Sequence, residues 1–120
     1  MHRRALEGRQ KALGLEHPDT LTSVSQLGSV LESQGKYKEA EAMHRRALEG
    51  REKVLGPEHP HTLTSVYHLA FLFHHQEQRK SASEFYQRAY NGYNRTLGSR
   101  HPTTVACFSH YSSIVEEMKS

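Results

Sequence analysis

Residues 1–24 of the chain read MHRRALEGRQKALGLEHPDTLTSV, and residues 43–66 read MHRRALEGREKVLGPEHPHTLTSV. The two stretches lie 42 residues apart and are identical at 20 of their 24 positions. A third, weaker copy follows at the same spacing and keeps Leu-Gly at residues 97–98 and His-Pro at residues 101–102. A fixed period of roughly 20 to 50 residues is typical of stacked supersecondary units that pack mainly on their neighbours. The sequence therefore predicts a repeat protein.

Each unit contains two stretches with helical periodicity. In the first repeat, Leu21, Val24, Leu27 and Leu31 recur at intervals of three or four residues, with polar residues between them. This spacing places apolar side chains on one face of an α-helix. A second apolar face runs from Tyr37 to the Leu-Gly pair at residues 55–56, where glycine suits the end of a helix. Each repeat is thus expected to be a pair of antiparallel helices.

Applied to the whole chain, the pattern predicts an all-α fold, a right-handed α-solenoid of antiparallel helical hairpins. Six helices are expected, at about residues 2–13, 18–34, 36–55, 60–76, 78–97 and 102–118. We assign residues 1–120 to a single repeat domain. Its units are the second helix of an incomplete repeat at 1–14, complete repeats at 18–56 and 60–98, and the first helix of an incomplete repeat at 102–120.

The chain begins and ends inside a repeat, because Met1 and Met43 occupy the same repeat position and the third unit stops after its first helix. We therefore expect a piece of a longer array, whose uncapped ends can self-associate. The last helix carries apolar residues such as Phe108 and Ile114, whereas a terminal repeat should present a polar outer face. The alternative is that this last helix is a natural cap.

Small and large apolar residues alternate along the helices in a characteristic way. In the first hairpin they are Val24, Leu27, Gly28, Leu31, Gly35, Tyr37, Ala40, His44 and Ala47, and in the second Val66, Leu69, Ala70, Phe73, Ala82, Tyr86 and Ala89. This pattern resembles the tetratricopeptide repeat family. The 42-residue period, longer than the usual 34 or so, looks like the repeats of kinesin light chains and of fungal NOD-like receptors. The resemblance implies part of the repeat domain of such a protein.

Two residues depart from the family pattern in the second hairpin. Glu77 stands where the first hairpin has Gly35, and Arg79 stands where it has Tyr37. Because a residue with a Cβ atom is strained at the left-handed position of a turn, we expect the second turn to be less tight than the first.

Composition and motifs exclude several functional classes. The formal net charge is only +3, and acidic residues such as Glu49 and Glu52 lie close to the Arg45-Arg46 pair. Both observations argue against nucleic acid as a partner. No apolar run approaches the roughly 18 residues of a membrane span, and no Gly-x-Ser-x-Gly or phosphate-binding loop occurs. The single cysteine, Cys107, lies on an apolar helix face and is expected to be a buried, inert thiol. We expect a non-enzymatic cytoplasmic protein without membrane contact.

The chain has ten histidines, but most of them recur at three repeat positions. One position precedes the proline at residues 17–18, 59–60 and 101–102, and such repeated residues are expected to be structural. His59 with His61, or His68 with His74 and His75, could hold a stray divalent ion. No nearby cysteine and no His-Glu-x-x-His spacing supports a zinc site. We therefore predict no metal and no other cofactor.

In tetratricopeptide arrays the first helix of each repeat lines a concave face, and the resemblance implies the same here. The candidate peptide-binding residues on that face are Ser25, Gln26, Ser29, Glu32, Tyr67, His68, Phe71, His74, His75, Ser109 and His110. Tyr67 and Phe71, one turn apart, suit an extended peptide, although Phe71 could instead pack inside its own repeat. The prediction is a protein- or peptide-binding scaffold. The competing class is a structural spacer or oligomerisation element without a specific ligand.

Overall fold

A computed structural model describes residues 17–119, which form five α-helices and contain no strand. The helices are α1, Pro18–Ser33; α2, Tyr37–Leu55; α3, Pro60–His75; α4, Arg79–Thr96; and α5, Pro102–Lys119. Every end lies within one residue of its predicted position. The predicted helix at 2–13, and with it the incomplete repeat at 1–14, lies outside the described residues. The all-α architecture is confirmed, with five helices described where six were predicted.

The helices form a stack in which each packs mainly on its neighbours in sequence. α1 pairs with α2 and α3 pairs with α4 as hairpins, and α5 packs on α4. The described residues extend over 47 × 31 × 20 Å, so the stack is longer than it is wide. This arrangement is the solenoid that the 42-residue period indicates. Its right-handed sense stays a prediction.

The His-Pro pairs begin helices, which confirms their structural role. In His17, His59 and His101, the Nδ1 atom accepts a hydrogen bond from the backbone N–H two residues ahead, at 3.0–3.1 Å. The proline that follows occupies the first helical position, where no N–H group is needed. These three histidines therefore satisfy backbone donors that a helix start would otherwise leave unpaired.

The two hairpin turns have the same geometry, so the prediction of a looser second turn was wrong. Gly35 has a φ of 78° and Glu77 a φ of 62°, both in the left-handed region. In each turn the N–H of the following residue donates to the carbonyl five residues earlier, at 2.8 Å. This is the Schellman arrangement. The packed helices on either side hold Glu77 in a conformation that it does not favour by itself.

The core consists of two apolar clusters that follow each other along the stack. The first contains Val24, Leu27, Leu31, Ala40, Ala47 and Leu72. The second contains Leu48, Leu63, Val66, Leu69, Ala70, Phe73, Ala82, Tyr86, Ala89, Tyr93, Cys107 and Ile114. Small residues allow close packing, since a Cβ atom added to Gly28 would lie 2.8 Å from Nε2 of His44.

One side of α5 is buried and the other is not. Cys107 and Ile114 are fully buried against α4, whereas Val105 and Phe108 are about half exposed. The Cys107 thiol lies 3.7 Å from the Tyr86 carbonyl oxygen, and burial raises the pKa of this thiol to about 12. Such a thiol is protonated at neutral pH and a poor nucleophile, as predicted. Between residues 17 and 119, no helix combines the length and apolarity that a bilayer span requires.

Candidate functional site

The first helices of three successive units meet around one recess of about 240 Å³. Its lining residues, which define the central pocket, are Glu32 of α1, Tyr67, His68 and Phe71 of α3, and His110 of α5. All five were among the predicted binding residues. They come together because they stand at similar places in repeats whose first helices lie side by side.

A second recess of about 370 Å³ adjoins the central pocket. Its lining, which defines the adjoining pocket, is Phe71, His74, His75, Glu77, Arg79, His110 and Glu117. Phe71 and His110 border both recesses, so the two form one continuous surface, the groove. His74 and His75 were predicted here, whereas Glu77, Arg79 and Glu117 were not. Phe71 lines the groove while its neighbours Leu72 and Phe73 are buried in the core.

A hydrogen bond and an ion pair fix the far end of the groove. Nε2 of His74 lies 2.7 Å from one oxygen of Glu117, and Nε of Arg79 lies 3.6 Å from the other. These contacts join α3, α4 and α5. The Glu117 carboxylate is therefore already occupied by two partners and is not a free anion of the adjoining pocket.

Tyr67 is held in place on several sides at the border of core and pocket. Its ring lies edge-on to Tyr86 with centroids 5.9 Å apart, and its hydroxyl is hydrogen-bonded to Nδ1 of His110. Burial, and to a lesser extent the neighbouring Cys107 and Tyr93, raises the pKa of Tyr67 to about 12. The phenol is thus protonated at neutral pH, and it joins α3 to α5 across the groove.

Behind the central pocket lies a group of polar atoms with few partners. His44 of α2 is fully buried, and its Nε2 is 4.0 Å from Oε1 of Glu32, beyond hydrogen-bond distance. His68 stacks on His44 with ring centroids 4.6 Å apart and planes 4° from parallel. Both nitrogens of His44 and Oε1 of Glu32 are buried without a hydrogen-bond partner among residues 17–119.

The protonation of this group follows from its burial. Burial, then the nearby His68 and Arg51, lowers the pKa of His44 to about 3. Burial and Arg51 also lower the pKa of His68, so both imidazoles are uncharged at neutral pH. Burial raises the pKa of Glu32, an effect that His75 partly offsets. The carboxyl group of Glu32 has therefore lost water without gaining a hydrogen-bonded cation from the described part of the chain.

Glu32, His44 and His68 offer three ligand atoms within 4.8 Å of one another, but their geometry does not suit a metal ion. The lone pairs of an imidazole lie in its ring plane, and the two rings are nearly parallel, so their lone pairs cannot converge on one ion. Atoms 4.0 Å apart could both reach zinc at about 2.0–2.1 Å only in a nearly linear arrangement, far from tetrahedral.

Four predicted residues do not border the groove. Ser25 is buried, whereas Tyr67 at the equivalent position reaches the pocket. Gln26 is exposed and Ser29 half-buried, and neither borders a pocket described above. Ser109 lies in a separate shallow recess on α5. The structure therefore does not bring these four residues together with the other seven.

The sequence reasoning missed His44 and Tyr86 as polar groups beneath the groove. They are equivalent positions of successive repeats, and both are fully buried. Within residues 17–119, Nδ1 and Nε2 of His44 and the hydroxyl of Tyr86 lack hydrogen-bond partners. Their spacing of 42 residues indicated only that both side chains occupy the same core position of successive repeats. A polar atom at a position that the repeat buries was the signal that could have identified them.

Comparison with known proteins places these features in a family. The family described as Tetratricopeptide repeat matches residues 1–53 and 22–95. No curated protein matches the chain. A crystal structure of nearly identical TPR-like repeats from Podospora anserina, described as kinesin light chain, is similar to this chain. The two superpose with a TM-score of 0.86 at 26% sequence identity. The superposition covers 94% of this chain and 54% of the Podospora chain. A single-substitution variant of the same structure has the same TM-score and identity, and 53% of its chain is covered.

A more distant structure shares the fold. BtubC (BKLC) from P. vanneervenii superposes with a TM-score of 0.71 over 99% of this chain and 56% of its own, at 15% identity. The chain thus spans about half the length of the solved structures that it matches.

Proposed function

Because the chain belongs to the tetratricopeptide repeat family, we propose that it is a non-enzymatic scaffold that binds a protein or peptide in the groove. The observation that supports this proposal is that the two repeats differ in sequence at the positions that line the groove. Their sequences agree almost completely up to residues 24 and 66, and then Gln26 and Ser29 give way to His68 and Phe71. Core positions such as Val24/Val66 and Leu27/Leu69 are kept, while Gln26 and Ser29 are replaced by the aromatic residues that line the central pocket.

The chemistry of the groove supports a peptide as the ligand. Phe71 and Tyr67 offer partly exposed rings, and imidazoles stand beside them. Aromatic rings give apolar contact area with few rotatable bonds, and neighbouring polar groups can pair with a peptide backbone. A groove that crosses the first helices of three successive units suits an extended segment rather than a compact small molecule.

The proposal is tested by selecting binders from a library of randomised ten-residue peptides and measuring their affinity for two variants. Phe71→Ser places in the second repeat the serine that the first repeat has at position 29. We expect it to fold normally and to weaken the selected peptides by about tenfold or more, since an aromatic anchor is lost. Val54→Ala, on the exposed side of α2, is the control and should leave affinity unchanged.

The competing function is a spacer or oligomerisation element. It would gain support if no peptide were selected, or if Phe71→Ser and Val54→Ala bound every peptide equally well. Either result contradicts the proposed groove function, provided that circular dichroism shows both variants to be helical.

We also propose the context of a longer repeat array, as in a kinesin-light-chain-like protein or a fungal NOD-like receptor, with a cytoplasmic location. The likeness to kinesin-light-chain repeats and the half-length coverage of the matched structures support it. Sequencing the transcript on both sides of this segment tests the context, and further 42-residue units or a nucleotide-binding domain would decide between the two. Imaging of the tagged full-length protein tests the location.

A further inference from the structure

We propose that the central pocket takes a basic side chain, lysine or arginine, of the bound peptide and that Glu32 supplies the anion that pairs with it. This inference rests on the proposed function of the groove and names the chemistry that its ligand must carry.

The charge of the pocket selects a cation. Among residues 17–119, Glu32 provides the only carboxylate in the lining, and no lysine or arginine side chain borders the pocket. The other four residues are two aromatic rings and two imidazoles. The neighbouring His68 and His44 have lowered pKa values and are uncharged at neutral pH, so neither repels an incoming cation.

The environment of Glu32 gives its carboxyl group no hydrogen-bonded cation within the part of the chain that the structure describes. One oxygen is buried without a hydrogen-bond partner there, and Nε2 of His44 is too distant at 4.0 Å. The side chain is nevertheless 20% exposed and borders the pocket, so a ligand can reach it. A buried anion without a partner costs free energy, which a cation at hydrogen-bond distance would recover.

The size and walls of the pocket suit one long basic side chain. Its volume of about 240 Å³ lies below the roughly 300–1,000 Å³ of pockets that hold drug-sized molecules. Phe71 and Tyr67 can pack against the methylene stem of lysine or arginine, and ring faces attract the cationic end. An acidic peptide would instead place its carboxylates against Glu32.

The first experiment uses the same randomised ten-residue library. Peptides that bind wild-type protein and depend on Phe71 should be enriched in lysine or arginine at one position. For a selected lysine peptide, replacing that lysine with norleucine keeps the length and removes the charge. We expect this replacement to weaken binding by about tenfold or more, because a hydrogen-bonded charge pair is lost.

The second experiment is a double-mutant cycle with Glu32→Gln. The variant should discriminate poorly between the lysine and norleucine peptides, whereas wild-type protein prefers lysine. Glu49→Gln removes the same charge from an exposed position of α2 and should keep the full preference. Urea unfolding checks that Glu32→Gln is folded, which we expect because the change removes a desolvated anion.

The outcomes separate this inference from the function on which it rests. Phe71-dependent peptides without a basic residue, or with a preference that Glu32→Gln leaves intact, would overturn the cation pocket while the groove function stands. Failure to obtain any Phe71-dependent peptide would overturn both. Stoichiometric micromolar binding of Zn²⁺ that Glu32→Gln and His68→Ala both abolish would assign the site to a metal ion and also overturn the proposal.

Discussion

At the scale of single residues, His44 shows how a repeat position can change its chemistry. It occupies the place that Tyr86 occupies in the next repeat, and both are fully buried. Burial, together with His68 and Arg51, lowers the pKa of His44 to about 3, whereas an unfolded histidine titrates near 6.5. The unfolded chain therefore binds a proton between these pH values that the folded chain does not.

This difference predicts an acid-sensitive fold. Stability rises with pH wherever the unfolded state binds more protons, so the contribution of His44 is lost as the pH falls from about 6.5 towards 3. At pH 5 the penalty should be about 2 kcal/mol, on the basis of 1.36 kcal/mol for each pH unit below 6.5. The check is urea unfolding of wild-type protein and His44→Gln at pH 7 and pH 5.

The comparison with His44→Gln isolates this residue. Burial also lowers the pKa values of His68 and His61, which act in the same direction, and it raises that of Glu32, which acts in the opposite one. These contributions remain in the variant. An equal loss of stability between pH 7 and pH 5 in both proteins would show that His44 is not the buried neutral group described here.

At the scale of elements, the hairpin turn is the informative feature. Gly35 and Glu77 occupy equivalent positions with positive φ, and their backbone hydrogen bonds match. A residue other than glycine in this region costs roughly 1–2 kcal/mol. The second hairpin therefore forms its turn against a local preference, because the packing of α3 on α4 requires it.

Exchanging the turn residues should shift stability in opposite directions. Glu77→Gly is expected to stabilise the protein by about 0.5–1 kcal/mol, since relief of strain exceeds the added entropy of the unfolded chain. Gly35→Ala should destabilise it by about 1 kcal/mol through backbone strain alone, because a Cβ atom there would meet nothing within 4 Å. Chemical denaturation measures both, and changes of the same sign would contradict this account of the turn.

At the scale of the whole molecule, an elongated stack depends on the contacts between successive hairpins. The radius of gyration of the described part is 14.6 Å, above the roughly 13 Å of a compact domain of about 100 residues. Between α2 and α3, the buried Arg51 donates to Oγ of Ser65 at 2.9 Å and to the carbonyl of His61 at 3.2 Å. This arginine joins the first repeat to the second.

Arg51→Met should therefore weaken the coupling between the repeats. We expect a loss of about 1.5–3 kcal/mol, because hydrogen bonds from a charged donor are removed and Ser65 keeps a buried hydroxyl. The unfolding transition should also become broader, since a solenoid is held together by interfaces between neighbours. Calorimetry tests this, with Lys38→Met on the exposed side of α2 as the control. An unchanged, sharp transition would argue against Arg51 as the coupling residue.

How much could be predicted from the sequence depends on the range of the interactions. Helix ends followed from Pro18, Gly56 and their equivalents, because caps and turns involve residues close in sequence. The groove was predicted only in part, since its members come from four helices and a turn. Ser25, Tyr67 and Ser109 share a repeat position, yet Ser25 is buried, Tyr67 lines the pocket and Ser109 is exposed, so the repeat position alone does not decide exposure.

The sequence by itself determined the all-α solenoid, its period and its helix boundaries, because these depend on apolar spacing and local backbone chemistry that recur every 42 residues. Only the tertiary structure decided that Glu32, Tyr67 and His110 border one pocket, and that His44 lies buried and uncharged behind it. Those properties arise where one repeat packs on the next. Desolvation and the distance between residues of different repeats have no counterpart in the spacing of residues along a single helix.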